Sequence, residues 1–475
     1  MSSVSEVQKL PELPPTWRWS SMDQACLKIQ DGTHFSPKNQ RAHGKYRYIT
    51  AKNVKPSGLD LSDVSYLSEA DHRMIYKRCD PQKGDVLLVK DGVNTGDAAL
   101  NTLNEEFSLL SSVCLLRPRS DLISSPFLRY FILSPVGYRL LTGQMTGTAI
   151  KRIVLRRIKD SPVPIAPMSE QQRIVAEIEK QFSRLDEAVA SLKRVKANLK
   201  RYKAAVLKAA VEGKLTEDWR KQHPDVEPAS KLLERVLADR RAKWDGKGKY
   251  QEPSSPGISN LPNIPDGWTW ATLDQLLREP LRNGHSAKAS GNRHGLRAFT
   301  LSAVTEGDFS EKNTKLTVAH TDKVADLWAE PGDIYVERSN TPELVGLARL
   351  YKGPSKFAFI PDLLIRVRLI HVVSAAFVEV CLLSEDCRRY FRSRAQGISG
   401  SMPKIDQSVI EQTPIPLPTL VEQQEIVAEV ERRLSVIDEL EETVEANLTR
   451  AERLRQSVLG AAFRGELNGK DRSFR

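Results

Sequence analysis

Between Pro162 and Leu215 the apolar residues return at steps of three and four: Ile174, Ile178, Phe182, Leu185, Val189, Leu192, Val195, Leu199, Tyr202 and Val206. Between Pro414 and Leu467 the rhythm is the same, through Ile426, Val430, Leu434, Ile437, Leu440, Val444, Leu448, Ala451, Leu454 and Val458. A repeat near 3.5 residues keeps one narrow stripe on one side of a helix over several heptads, which is the pattern of a coiled coil. No Pro or Gly interrupts either run before Gly213 or Gly460. The prolines ahead of each run suit a helix start, and Gly213 and Gly465 suit a stop. The spacing therefore predicts two long helices, within 162–215 and 414–467. Their other faces are charged, so neither can bury its stripe alone. They can pair with each other, antiparallel or parallel, or each with a partner protein. Two matched lengths in one chain favour self-pairing.

The two stretches are one stretch repeated. They align without a gap, Pro162 with Pro414, at a constant offset of 252 residues. Both open on Pro-x-Pro followed by Glu-Gln-Gln-x-Ile-Val-Ala-Glu, at Glu170 and at Glu422. The segments ahead of them echo each other as well. Trp17-Arg-Trp19 returns as Trp268-Thr-Trp270, Asp31-Gly-Thr-His34 as Asn283-Gly-His285, and Gly84-Asp85 as Gly332-Asp333. In the first segment, short β-like runs at Tyr46 to Ala51, Asp85 to Val89 and Ser112 to Leu116 are separated by turn residues, and Phe127 to Leu141 reads as a helix. In the second, Asp386 to Arg394 takes the matching helical position. The organisation is thus a mixed α/β globular domain over 1–161, a long helix over 162–215, a connector over 216–260, a second domain over 261–413, a second helix over 414–467 and a tail over 468–475. Within the connector Glu227 to Trp244 reads as a helix, and the polar Lys247 to Asn260 as a flexible linker.

Charge changes the picture next. The 475 residues carry a formal net charge of +11. That sign favours an anionic partner, nucleic acid first and a membrane surface second. No apolar run reaches membrane-spanning length, and the first fifteen residues lack the apolar core of a signal peptide. Five cysteines without Cys-x-x-Cys spacing suggest neither a disulfide framework nor a zinc site, and a reducing cytoplasm is the expected compartment.

Base edges are read by Arg, Lys, Asn, Gln, Ser and Thr, and phosphates by Lys, Arg and backbone amides. Such residues fall at matched positions in three loop pairs. The first follows the Gly-Asp strand: Lys90, Asn94 and Thr95 against Arg338, Ser339 and Asn340. The second is His34 and Lys38 against Arg282, His285 and Lys288. The third is Thr148, Lys151 and Arg152 against Ser401 and Lys404, a set suited to phosphates. The loops differ between copies, as readers of two different sequences should.

The doubled order of the Trp-x-Trp, Gly-Asp and Glu-Gln-Gln motifs resembles the DNA specificity subunits of Type I restriction–modification enzymes. The resemblance runs over nearly the whole chain. It implies two target recognition domains, each reading half of a split, asymmetric DNA site, with the helices pairing as an antiparallel coiled coil that sets the spacing. It also implies docking of two methyltransferase subunits on the helices, where Glu170, Gln171, Gln172, Glu422, Gln423 and Gln424 are the candidate docking residues. Motor-nuclease subunits would complete the assembly. S-adenosylmethionine, ATP and Mg are then expected on those partners, and no catalytic residue, metal or cofactor on this chain. The residues agree: there is no Gly-x-x-x-x-Gly-Lys-Ser/Thr loop and no Asn/Asp-Pro-Pro-aromatic loop. The rival from another class is a coiled-coil scaffold that binds protein only.

Overall fold

The computed structural model describes residues 10–35, 37, 40–143, 152–242, 249–257, 261–290, 294–397 and 402–467. The chain divides into two compact units, Met1–Arg194 with Val444–Arg475, and Val195–Thr443.

The centre of the first unit is a four-stranded antiparallel sheet in the order Cys26–Asp31, Val113–Pro118, Val86–Val89, Ala98–Leu100. Val86–Val89 and the first four residues of Val113–Pro118 are apolar without alternation because both faces of the sheet are covered there. Val86, Leu88, Cys114 and Leu116 meet the helices Ser125–Leu133 and Pro135–Thr142, with Ile174, Ile178, Val458, Leu459 and Phe463 in the same core. Leu87, Val89, Val113 and Leu115 face Ile49, Val54 and Phe107 on the other side. The single helix expected over Phe127 to Leu141 is two, because Pro135 cannot continue the first. Ser134 caps the second by accepting the Gly137 amide at 3.1 Å.

The Pro-x-Pro motif proves to be a strand, not the start of the helix. Pro162–Ile165 pairs antiparallel with Arg18–Ser21, and Pro414–Leu417 with Thr269–Thr272. Prolines are tolerated in such two-stranded ribbons because one edge needs no donor. The long helices begin only afterwards, at Met168–Val211 and Leu420–Ala462.

The second unit repeats the plan. Its sheet runs Arg282–Asn283, Leu364–Val367, Ile334–Glu337, Ala348–Leu350, and the helices Ala375–Leu383 and Glu385–Arg394 follow. The connector is folded on this unit rather than being a free tether over its whole length. Its helix Ala229–Ala242 donates the Ala229 amide to the Gly267 carbonyl at 2.8 Å, and Arg240 reaches Asp274 Oδ1 at 3.0 Å. The polar stretch from 249 to 257 forms no regular element, and Ser254 accepts the Thr272 hydroxyl at 2.9 Å.

The two long helices pack antiparallel, and each unit holds one end of the pairing. In the first unit Asp186 pairs with Arg455, whose guanidinium lies 5.0 Å from the Phe182 ring centre. In the second, Lys203 Nζ lies 2.9 Å from Asp438. The expected stripe is buried at Ile174, Ile178, Leu199 and Val206 and at Ile426, Val430, Ile437, Val444 and Val458. Val195, Tyr202, Leu440 and Leu454 of the same stripes stay exposed, so the pairing covers less than the periodicity implied. Each glycine stop takes a positive φ, 69° at Gly213 and 76° at Gly465. A Cβ there would strike Pro265 in the second unit and Pro14 in the first, so the end of each helix abuts the Pro-x-x-Trp segment of a domain.

Candidate nucleic-acid interface

The Glu-Gln-Gln motifs fasten domain to helix. Gln171 is fully buried; it accepts the Ser124 amide at 2.8 Å and donates to the Leu122 and Ala166 carbonyls, each at 2.8 Å. Gln423 does the same work in the second unit, accepting the Ser374 amide at 2.8 Å and donating to Pro418 at 3.0 Å. Glu422 is buried, taking the Trp268 indole N–H at 2.8 Å and the Thr216 hydroxyl at 2.7 Å, with Arg220 paired to it. Glu170 is half-buried and takes the Thr16 hydroxyl at 3.3 Å. Gln171, Glu422 and Gln423 therefore face inward, which is a correction to their assignment as docking residues. Gln172 and Gln424 are exposed.

The candidate DNA-reading loops do converge. In the first domain the loop after Val86–Val89 meets the segment ahead of Leu155 through a bridge between Asp91 and Arg152, and the Ile153 amide donates to the Lys90 carbonyl at 2.8 Å. In the second domain the same junction joins Ser339 to Lys404, with the Ile405 amide on the Arg338 carbonyl at 2.9 Å. The His34 and His285 loops adjoin the same strand ends. The Lys90 amide donates to Ser112 and the Gly32 amide to Val113; the Arg338 amide donates to Leu363 and the Gly284 amide to Leu364. Gly32 and Gly284 are needed at this crossing, since a Cβ would run into the backbone at Leu109 and at Pro361 respectively. Lys38, Thr148, Lys151 and Ser401 lie outside the described residues.

The side chains on this shared frame differ. In the first domain Asp31 is a buried hub. Arg78 lies 2.9 Å from it, His34 3.1 Å and Lys90 3.4 Å, while Arg152 pairs with Asp91 at 2.9 Å. Lys90 is only 4% exposed, so its candidacy as a direct contact is corrected: it is a strut under the loop. Thr95 is also buried and closes the turn through the Gly92 carbonyl at 2.6 Å. His34 stays exposed and Asn94 half-exposed beside a fully exposed Val93.

In the second domain Arg282, Lys288 and Lys404 are exposed and Arg338 half-exposed, and none of the four side chains has a hydrogen-bond or ion-pair partner among the described residues. His285 is half-buried, its amide on the Ile360 carbonyl at 3.0 Å, and Ser339 is buried. Asn340 is tied down: it donates to Glu337 at 2.6 Å and accepts the Thr341 amide at 2.8 Å. Glu337 also takes the Thr305 hydroxyl at 2.6 Å, and burial raises its pKa above the ordinary carboxylate value. Asp31, Arg78 and Glu337 were not singled out from sequence. Only Asp31 carried a signal, standing first in the Asp-Gly-Thr-His motif.

Two copies of one domain thus present differently furnished loops from the same strand ends. Residues 23–201 match the Type I restriction modification DNA specificity domain. The Type I restriction enzyme EcoKI specificity subunit of Escherichia coli strain K12 is 25% identical over 90% of this chain and 83% of its own. The StySPI specificity subunit of Salmonella potsdam is 24% identical over 97% and 91%. A solved structure described as showing complex assembly and conformational transition of the type I R-M system has the same fold, with a TM-score of 0.61 and 19% identity over 96% of this chain and all of that one. Over most of its length the chain is thus similar to the specificity subunits of Type I restriction–modification enzymes. Among the described residues no group of three or more His, Cys, Asp or Glu is placed to hold a metal ion, and no helix is long and apolar enough to cross a membrane.

Proposed function

We propose that this chain reads DNA sequence for a Type I restriction–modification complex in the cytoplasm, each domain reading one half of a split, asymmetric site. The observation that carries this reading is the loop junction built twice on the same backbone bonds and furnished differently, at Asp91–Arg152 and at Ser339–Lys404. A shared frame with divergent side chains fits two heads that read different half-sites. Arg152, Arg282, Lys288, Arg338 and Lys404 supply cations for phosphates and base edges. The chain itself is non-catalytic in this reading. Methylation with S-adenosylmethionine, and cleavage with ATP and Mg, belong to two methyltransferase subunits and to motor-nuclease subunits. The exposed Val195, Tyr202, Leu440 and Leu454 on otherwise charged helices, with Gln172 and Gln424, are surfaces suited to docking them. The salt dependence of site binding by the complex tests the reading. Each phosphate contact contributes a log–log slope of about −0.9. A steep slope is expected, and a slope near zero argues for a scaffold that binds protein only.

A further inference from the structure

The two domains treat the same pair of positions in opposite ways. In the first, Asp31 stands opposite Cys114, which stands opposite Leu88, and Lys90 lies two residues beyond Leu88. Alternation along a strand puts Asp31 and Lys90 on one face, and there they pair at 3.4 Å. In the second, Asn283 stands opposite Ile365, Ile365 opposite Val336, and Arg338 lies two residues beyond Val336. The register is identical, and Gly32 and Gly284 mark the same crossing one residue on. Where the first domain has an acid, the second has an amide, whose Oδ1 accepts from Gln407 at 3.1 Å. The neighbouring acid Glu337 points to the other face and is held by Thr305 and Asn340. Arg338 is thereby left without an anionic partner among the described residues.

We propose that this position decides whether the cation of the reading loop is a strut or a DNA contact. Asp31 captures Lys90 in the first domain, and Asn283 leaves Arg338 free in the second to meet a pair of acceptors on DNA. The proposal rests on the reading of the second domain as a DNA reader. The guanidinium fits two acceptor sources, the major-groove edge of guanine and a backbone phosphate.

The test uses the full chain in complex with its methyltransferase subunits and a duplex carrying the motif methylated in the host. Arg338→Ala and Asn283→Asp each weaken binding about 5- to 150-fold, the second because the new carboxylate captures Arg338. Asn283→Ser, which supplies no charge, stays within about twofold of wild type by the same reasoning. The double variant Asn283→Asp with Arg338→Ala binds no more weakly than Arg338→Ala alone. Loss confined to one base pair identifies guanine; a uniform loss with the salt slope reduced by about one identifies a phosphate. Wild-type binding by Asn283→Asp, an equal loss in Asn283→Ser, or additive losses in the double variant overturns the capture, while the DNA reading of the loop survives. Wild-type binding by Arg338→Ala overturns both.

Discussion

Glu422 accepts the indole N–H of Trp268 at 2.8 Å, and both side chains are buried. One carboxylate at the start of a long helix thus holds the Trp-x-Trp segment of the second domain, while Thr216 and Arg220, from just beyond the end of the other helix, bind the same carboxylate. The motifs that repeat along the chain are in contact because together they fasten the second domain to the helix pair.

Glu422→Ala should therefore loosen the second unit. It strands a buried indole N–H and leaves Arg220 uncompensated, at a cost of about 3 kcal/mol or more. Glu170→Ala, which removes a half-buried carboxylate with a 3.3 Å hydroxyl contact, should cost clearly less. Urea unfolding of the full chain, followed by tryptophan fluorescence, compares the two variants. Equal losses would mean that the cluster around Glu422 has no special weight.

Lys90→Met separates a strut from a DNA contact. Breaking the buried pair with Asp31 should destabilise the first unit by about 3 kcal/mol, the low end for such pairs because Arg78 and His34 still face the acid. Under conditions where the variant remains folded, its affinity for the DNA site should match wild type. A drop in affinity with unchanged unfolding would restore Lys90 as a direct contact.

The sequence showed the doubled architecture because the helices kept a 252-residue register and the domains kept their turn residues. It misplaced Gln171 and Gln423, which looked like surface polar residues at a helix start. Yet Gln171 precedes Ile174 and Ile178 by three and seven residues, and Gln423 precedes Ile426 and Val430 likewise, so both lie on the buried stripe. An amide is tolerated there because it meets backbone groups at the edge of a domain, a partnership that periodicity does not reveal. Lys90 was misread for a similar reason. Its place on the face of Leu88 follows from alternation, but its partner Asp31 arrives from a strand almost sixty residues earlier. The convergence of the three loops depends on strand order, which spacing alone does not supply.

Acid should weaken the start of the second long helix. Hydrogen bonds from Arg432, with Arg433 beside it, lower the Glu429 carboxyl from its ordinary 4.5 to about 2. A depressed folded value means that the stabilisation is complete above pH 4.5 and drains away as pH falls toward 2. Glu429→Gln should flatten that part of the stability–pH curve and leave the curve above pH 5 parallel to wild type. An unchanged acid limb would show that the two arginines give the carboxylate no net support.

The most direct measurement is a map of methylated adenines across the host genome with this gene intact, deleted, and carrying Arg338→Ala. Deletion is expected to erase one split, asymmetric motif. Arg338→Ala is expected to relax or weaken one half of that motif and to leave the other half and the gap unchanged. A motif that survives deletion, or two halves equally altered by Arg338→Ala in a folded complex, would contradict two independent reading heads on one chain.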